Sequence, residues 1–90
     1  SNTMQLYYAN IRLDEDVTEG VVVVEVEKGS PASKAGLKAK DVIVKVGDNK
    51  VSDIAEFRYR LYSHEVGSII KLTINRDGKE KVVEVKLASN

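Results

Sequence analysis

The dipeptide Asp77-Gly78 constrains this chain more than any other feature. Both central positions of a two-residue hairpin turn require positive φ, and Asp-Gly is among the few pairs that accept it. The flanking segments, Ser68 to Arg76 and Lys79 to Leu87, carry apolar residues at alternating positions. Pairing them across that turn sets Leu72 opposite Val83 and Ile70 opposite Val85. Both pairs fall on one face, so turn chemistry and apolar pattern agree. The last part of the chain is therefore an antiparallel hairpin with one face to bury, and the residues upstream must cover it.

Upstream, short strands alternate with turn signals. Gln5 to Leu13 is β-prone, interrupted by Ala9-Asn10, and Asp14-Glu15-Asp16 reads as an acidic loop. Gly20 opens Val21 to Val26, a β-branched run that predicts a strand buried on both faces. Ser30 to Gly36 predicts a short helix. Ser30 is suited to the N-cap, Pro31 to the first helical position and Gly36 to the left-handed terminus. Asp41 to Val46 predicts another strand, closed by Gly47-Asp48-Asn49. A second helix is expected from Asp53 to Ser63. Asp53 and Glu56 have the spacing of a capping box, and Ile54, Phe57 and Leu61 form a core stripe. The order is β-β-α-β-α-β-β. The fold class expected is mainly β with two helices, as a small, partly open β-barrel or sandwich.

Ninety residues support one domain. Residues 1–3 read as a tag remnant with N-terminal residues, and 4–88 as the domain. Fourteen basic and fourteen acidic side chains cancel, which argues against a general attraction to nucleic acid or an anionic membrane. Lys34, Lys38, Lys40, Lys45 and Lys50 lack interleaved aromatics and read as a solvated face. With no cysteine, disulfides and thiolate zinc sites are ruled out. The longest apolar run, Val21 to Val24, is far too short to insert into a bilayer.

No catalytic set emerges. His64 is the one histidine, it follows a predicted helix, and no serine sits in a nucleophile motif beside a base. It reads as an exposed loop residue. Asp14, Glu15 and Asp16 lack the alternating oxygen ligands of a calcium loop, and no phosphate-binding glycine pattern is present. No metal or cofactor is expected.

The run Gly29-Ser30-Pro31-Ala32-Ser33-Lys34-Ala35-Gly36-Leu37, continuing to Asp41-Val42-Ile43, closely resembles a signature of bacterial PDZ domains. Val46-Gly47-Asp48-Asn49-Lys50-Val51, Val66-Gly67-Ser68 and Arg76-Asp77-Gly78-Lys79 extend the resemblance over about Gly20 to Leu87. Within that family the pattern looks most like the C-terminal domain of HtrA-type, trypsin-like serine proteases. Phe57 to Tyr62 followed by Val66-Gly67 is reminiscent of Gram-positive members. Tyr8-Ala9-Asn10-Ile11 stands where the family has its carboxylate-binding loop, with Asn10 replacing a glycine. Asparagine tolerates left-handed geometry better than other non-glycine residues.

The resemblance implies peptide capture by strand addition. Backbone N–H groups of Tyr8, Ala9, Asn10 and Ile11 would hold a peptide's terminal carboxylate. Ile11, Arg12 and Leu13 would form the docking strand. Ile11, Leu13 and Leu61 would wall the pocket for the last side chain, with Arg58 and Tyr62 contacting residues upstream. Competing roles stay open for each: core packing for Leu61, or for Ile11 and Leu13 together, solvation for Arg58, and strand packing for Tyr7 and Tyr8.

The implied partners are C-terminal peptides of unfolded or regulatory proteins and the protease domain of a parent chain. Its implied location is extracytoplasmic, anchored through the parent. Two rival readings keep the fold. One is an assembly module whose groove is occupied by its own chain; the other is a domain of a different bacterial protease or secretion component.

Overall fold

In chain order the elements are β1 (Ile11–Asp14), β2 (Val21–Val26), α1 (Pro31–Ala35), β3 (Val42–Val46), β4 (Asn49–Lys50), α2 (Ile54–Tyr62), β5 (Ile69–Arg76) and β6 (Lys79–Lys86). The structure, a computed structural model, describes residues 20–88 and the backbone of 11–14. The expectations for residues 1–10 and for Glu15-Asp16 lie outside the described residues.

The hairpin adopts the register its turn dictates. Asp77 and Gly78 have φ of 52° and 79°, and β5 pairs with β6 with Leu72 opposite Val83 and Ile70 opposite Val85. One antiparallel sheet follows, ordered β1-β2-β3-β5-β6, with β4 paired to β3. The expected fold class, mainly β with two helices, is the one observed. Two bulges curl the sheet. Val24 is skipped where β2 meets β1, and Val44 where β3 meets β5; an unpaired extra residue bends its strand and increases local twist.

The bulge at Val24 overturns the reading of β2 as buried on both faces. Val21 and Val23 are buried, but Val24 is 40% exposed, because the bulge turns it away and the strand runs on past the core. Asp14, read as loop, belongs to β1 and pairs with Val22. The short strand β4 was not anticipated. Its two residues extend the Gly47-Asp48 turn into a small hairpin with β3.

Both helices start as their sequences direct. Ser30 caps α1 by accepting from the Ser33 amide at 3.1 Å, and Gly36 closes it with φ of 93°. Asp53 accepts from the Glu56 amide at 2.7 Å while the Glu56 carboxylate accepts from the Ser52 amide at 2.9 Å. This is a capping box displaced by one residue at its return bond. Phe57 and Leu61 enter the core with Ile43, Leu72, Ile74 and Val85, and Ile54 packs at its margin. Closing several faces of a curled sheet with two short helices leaves the strand edges as the main unpaired backbone.

Candidate functional site

The two strand edges are the places where this fold can accept another chain, and β1 is one of them. It pairs with β2 alone among the described residues. Among the described residues no strand pairs with its other side, and an unpaired strand edge is the chemical requirement for adding a strand. The register sets Ile11 opposite Val26, Arg12 opposite Glu25 and Leu13 opposite Val23. Ile11, Arg12 and Leu13, the residues expected to form a docking strand, lie in β1. Tyr8, Ala9 and Asn10, the remainder of the expected carboxylate loop, lie outside the described residues.

The helical residues assigned to the site occupy different depths of α2. Leu61 is 1% exposed and belongs to the core beside Phe57. Tyr62 is half-buried and packs against that core. Arg58, also half-buried, lies next to them on the helix by the i, i+3 and i, i+4 relations. The helix C-terminus is tied by the His64 amide to the Leu61 carbonyl at 3.1 Å. His64 itself is half-buried, a correction to its reading as an exposed loop residue. The turn at the end of α2 folds it back. Among the described residues no cluster of His, Asp or Glu could hold a metal ion, and no helix is long and apolar enough to cross a membrane.

One constellation escaped sequence reasoning. Asp41, 1% exposed, accepts from Arg76 Nε and Nη2, each at 2.8 Å, and from the Lys38 amide at 2.8 Å. Arg76 Nη2 also donates to the Gly36 carbonyl at 2.7 Å. Burial pushes the Asp41 carboxyl up, but the bonds from Arg76 and the Lys38 amide outweigh it and hold its pKa below the ordinary 3.8. The pair ties the end of α1 and the start of β3 to the hairpin. Its role is architectural: it holds the curled sheet against which α2 and β2 are placed.

The family model described as "PDZ domain" matches residues 10–87. The chain is 45% identical over 82 residues to the serine protease Do-like HtrA of Lactococcus lactis, covering 91% of this chain and 20% of that protein. It is 42% identical over 72 residues to the periplasmic pH-dependent serine endoprotease DegQ of Escherichia coli, covering 80% of this chain and 16% of that one. The chain thus spans about a fifth of the length of such curated relatives. Among solved structures, the HtrA3 PDZ domain bound to a phage-derived ligand (FGRWV) superposes with a TM-score of 0.74 at 22% identity, covering 86% of this chain and 81% of that one. The HtrA-type protease AlgW S227A with decapeptide gives 0.78 at 20% identity, covering 89% and 28%. These last two likenesses concern the fold.

Proposed function

The chain belongs to the PDZ domain family, and from that premise we propose that it binds the C-termini of proteins by adding them as a strand to β1. The observation that carries this reading is the position of β1 at a sheet edge, with Ile11, Arg12 and Leu13 along it. In this reading main-chain bonds to β1 supply sequence-tolerant affinity, and the backbone amides of Tyr8, Ala9, Asn10 and Ile11 hold the terminal carboxylate. Ile11 and Leu13 receive an apolar last side chain, with Arg58 and Tyr62 beside the residues before it, while Leu61 packs in the core. Two fold relatives support peptide binding, one being a PDZ domain bound to a phage-derived ligand and the other an HtrA-type protease with decapeptide.

The parent is proposed to be an HtrA-like serine endopeptidase, on the strength of the curated relatives. The domain would present substrates to the protease domain, or report ligand occupancy to it, in extracytoplasmic protein quality control. The periplasmic relatives support that location. The chemistry of cleavage would lie in the parent's protease domain, and these ninety residues would supply recognition.

Amide chemical-shift mapping tests the site. Adding a short peptide with an apolar C-terminus should shift the amides of Ile11 to Leu13 and of α2 first. Shifts confined to other strands would refute binding at β1.

A further inference from the structure

Among the described residues no strand pairs with the opposite edge of the sheet either, and its hydrogen-bonding phase and charges specify a partner. β6 (Lys79–Lys86) ends the strand order and runs eight residues against β5 with no register shift. Leu87 donates to the Ser68 carbonyl at 2.9 Å. Given the register and the alternation of an antiparallel ladder, residues 79, 81, 83 and 85 bond inward to β5. Glu80, Val82, Glu84 and Lys86 therefore direct their N–H and C=O groups outward, and all four are exposed. β6 contains no proline, is not short and carries no bulge; α1 packs beside its C-terminal half, leaving an open cleft between them. Its charges, five of its eight residues being Lys or Glu, then discriminate among the strands that could pair with it.

Those charges select one register against a second copy. In a two-fold antiparallel pairing, outward residues must face outward residues. Centring the pair on Val82 sets Glu80 against Glu84 twice. Centring on Glu84 opposes that residue to itself, and centring on Lys81 does the same to the lysine. Like charges directly opposite are destabilising. Centring on Val85 keeps Glu84 against Lys86 but gives up most of the strand. Centring on Val83 pairs the full outward stretch, with Glu80 facing Lys86 at both ends and Val82 facing Glu84. The two Val82 side chains, each 60% exposed in a single copy, then become diagonal neighbours across the axis. Lys86 also shares an open cleft with Pro31, Lys34, Ala35, Glu84 and Ala88, so a second cation, Lys34, stands near the place that Glu80 of the second copy would enter.

We propose that β6 is a self-pairing edge, joining two copies of this domain antiparallel about Val83 into one continuous sheet. The pairing uses the edge opposite β1, so it leaves the proposed peptide site free and does not depend on it. One strand pair is a small interface, so association is weak and concentration-dependent.

Sedimentation equilibrium over a concentration series tests this, on the wild type, Glu80→Lys, Lys86→Glu and the double reversal. Circular dichroism checks that each variant is folded. Each single reversal replaces two attractions by two repulsions and should raise the dimer dissociation constant by about tenfold. The double reversal should restore it. A mixed-label NMR sample should give an Hα–Hα contact between the two copies of Val83. A wild type that remains monomeric to about 1 mM overturns the proposal. So does a dimer indifferent to the reversals, or one that the double reversal fails to recover. A monomer in which added peptide shifts the Glu80 to Lys86 amides would assign the edge to a foreign strand and equally overturn self-pairing.

Discussion

Arg76 and Asp41 stand 35 residues apart in sequence and meet through two bonds of 2.8 Å from one guanidinium to one carboxylate. The same Arg76 reaches the Gly36 carbonyl, so one side chain joins the end of α1, the entrance to β3 and the hairpin. The planar fork of arginine suits this task, and lysine would supply a single point of charge instead.

Removing either partner should therefore be costly. Arg76→Ala leaves the buried Asp41 carboxylate with only the Lys38 amide, and a loss clearly larger than that of an ordinary surface change is expected in chemical denaturation. Arg76→Lys should recover part of it. A loss under about 0.5 kcal/mol for Arg76→Ala, the level of an ordinary surface change, would show that the pair contributes little.

Acid should act through the same carboxylate. Its folded pKa is depressed below 3.8, so its contribution is fully present above that value. The contribution is lost as pH falls from there through the folded pKa. Denaturation midpoints measured between pH 7 and pH 2 should fall on the acid limb. Asp41→Asn should be less stable at neutral pH and lose less on acidification. Parallel pH profiles for the two proteins would contradict this.

Two glycines should respond differently to alanine. Gly20 has φ of 134°, and a Cβ there would sit 2.8 Å from both the Ile43 carbonyl oxygen and Val42 Cγ1. Gly36 has φ of 93° but open space around it. Gly20→Ala should cost more than about 2 kcal/mol and Gly36→Ala about 1 kcal/mol, read from denaturant midpoints. Equal losses would mean that the close approach at Gly20 relaxes freely.

Loss of a cap offers a milder check on α1. Ser30→Ala removes the acceptor of the Ser33 amide, and about 1 kcal/mol should be lost. Ser30→Gly, which keeps the backbone free to adopt the cap geometry, should cost only a few tenths.

What could be read from the sequence was what local chemistry decides. Asp77-Gly78 carries its own φ preference, and that alone set the β5–β6 register. Ser30, Pro31 and Gly36 each mark a position of α1, and Asp53 with Glu56 marks the start of α2. The bulges at Val24 and Val44 were hidden because each lies in a stretch dominated by valines, where no polar residue signals the face. The Asp41–Arg76 pair was hidden because its members come from distant segments and only the folded sheet brings them together. β4 was hidden because Lys45 and Lys50, which it places opposite each other, are a poor pair by charge. Of the site, the place of β1 at the end of the strand order was expected only through the family resemblance, because no local residue pattern marks an edge. The burial of Leu61 could not be read in advance, since Leu61 and Phe57 share one helical stripe, and only the folded structure shows that both enter the core.

Carboxylate capture at β1 is tested most directly by comparing one apolar-ending peptide as the free acid and as the C-terminal amide. With fluorescently labelled peptide, the free acid should bind with a dissociation constant on the order of 10 μM, as expected of a short flexible ligand. The amide, lacking the charge that the backbone N–H groups receive, should bind at least about tenfold more weakly. Equal affinity for acid and amide, or no binding by either, would contradict the account.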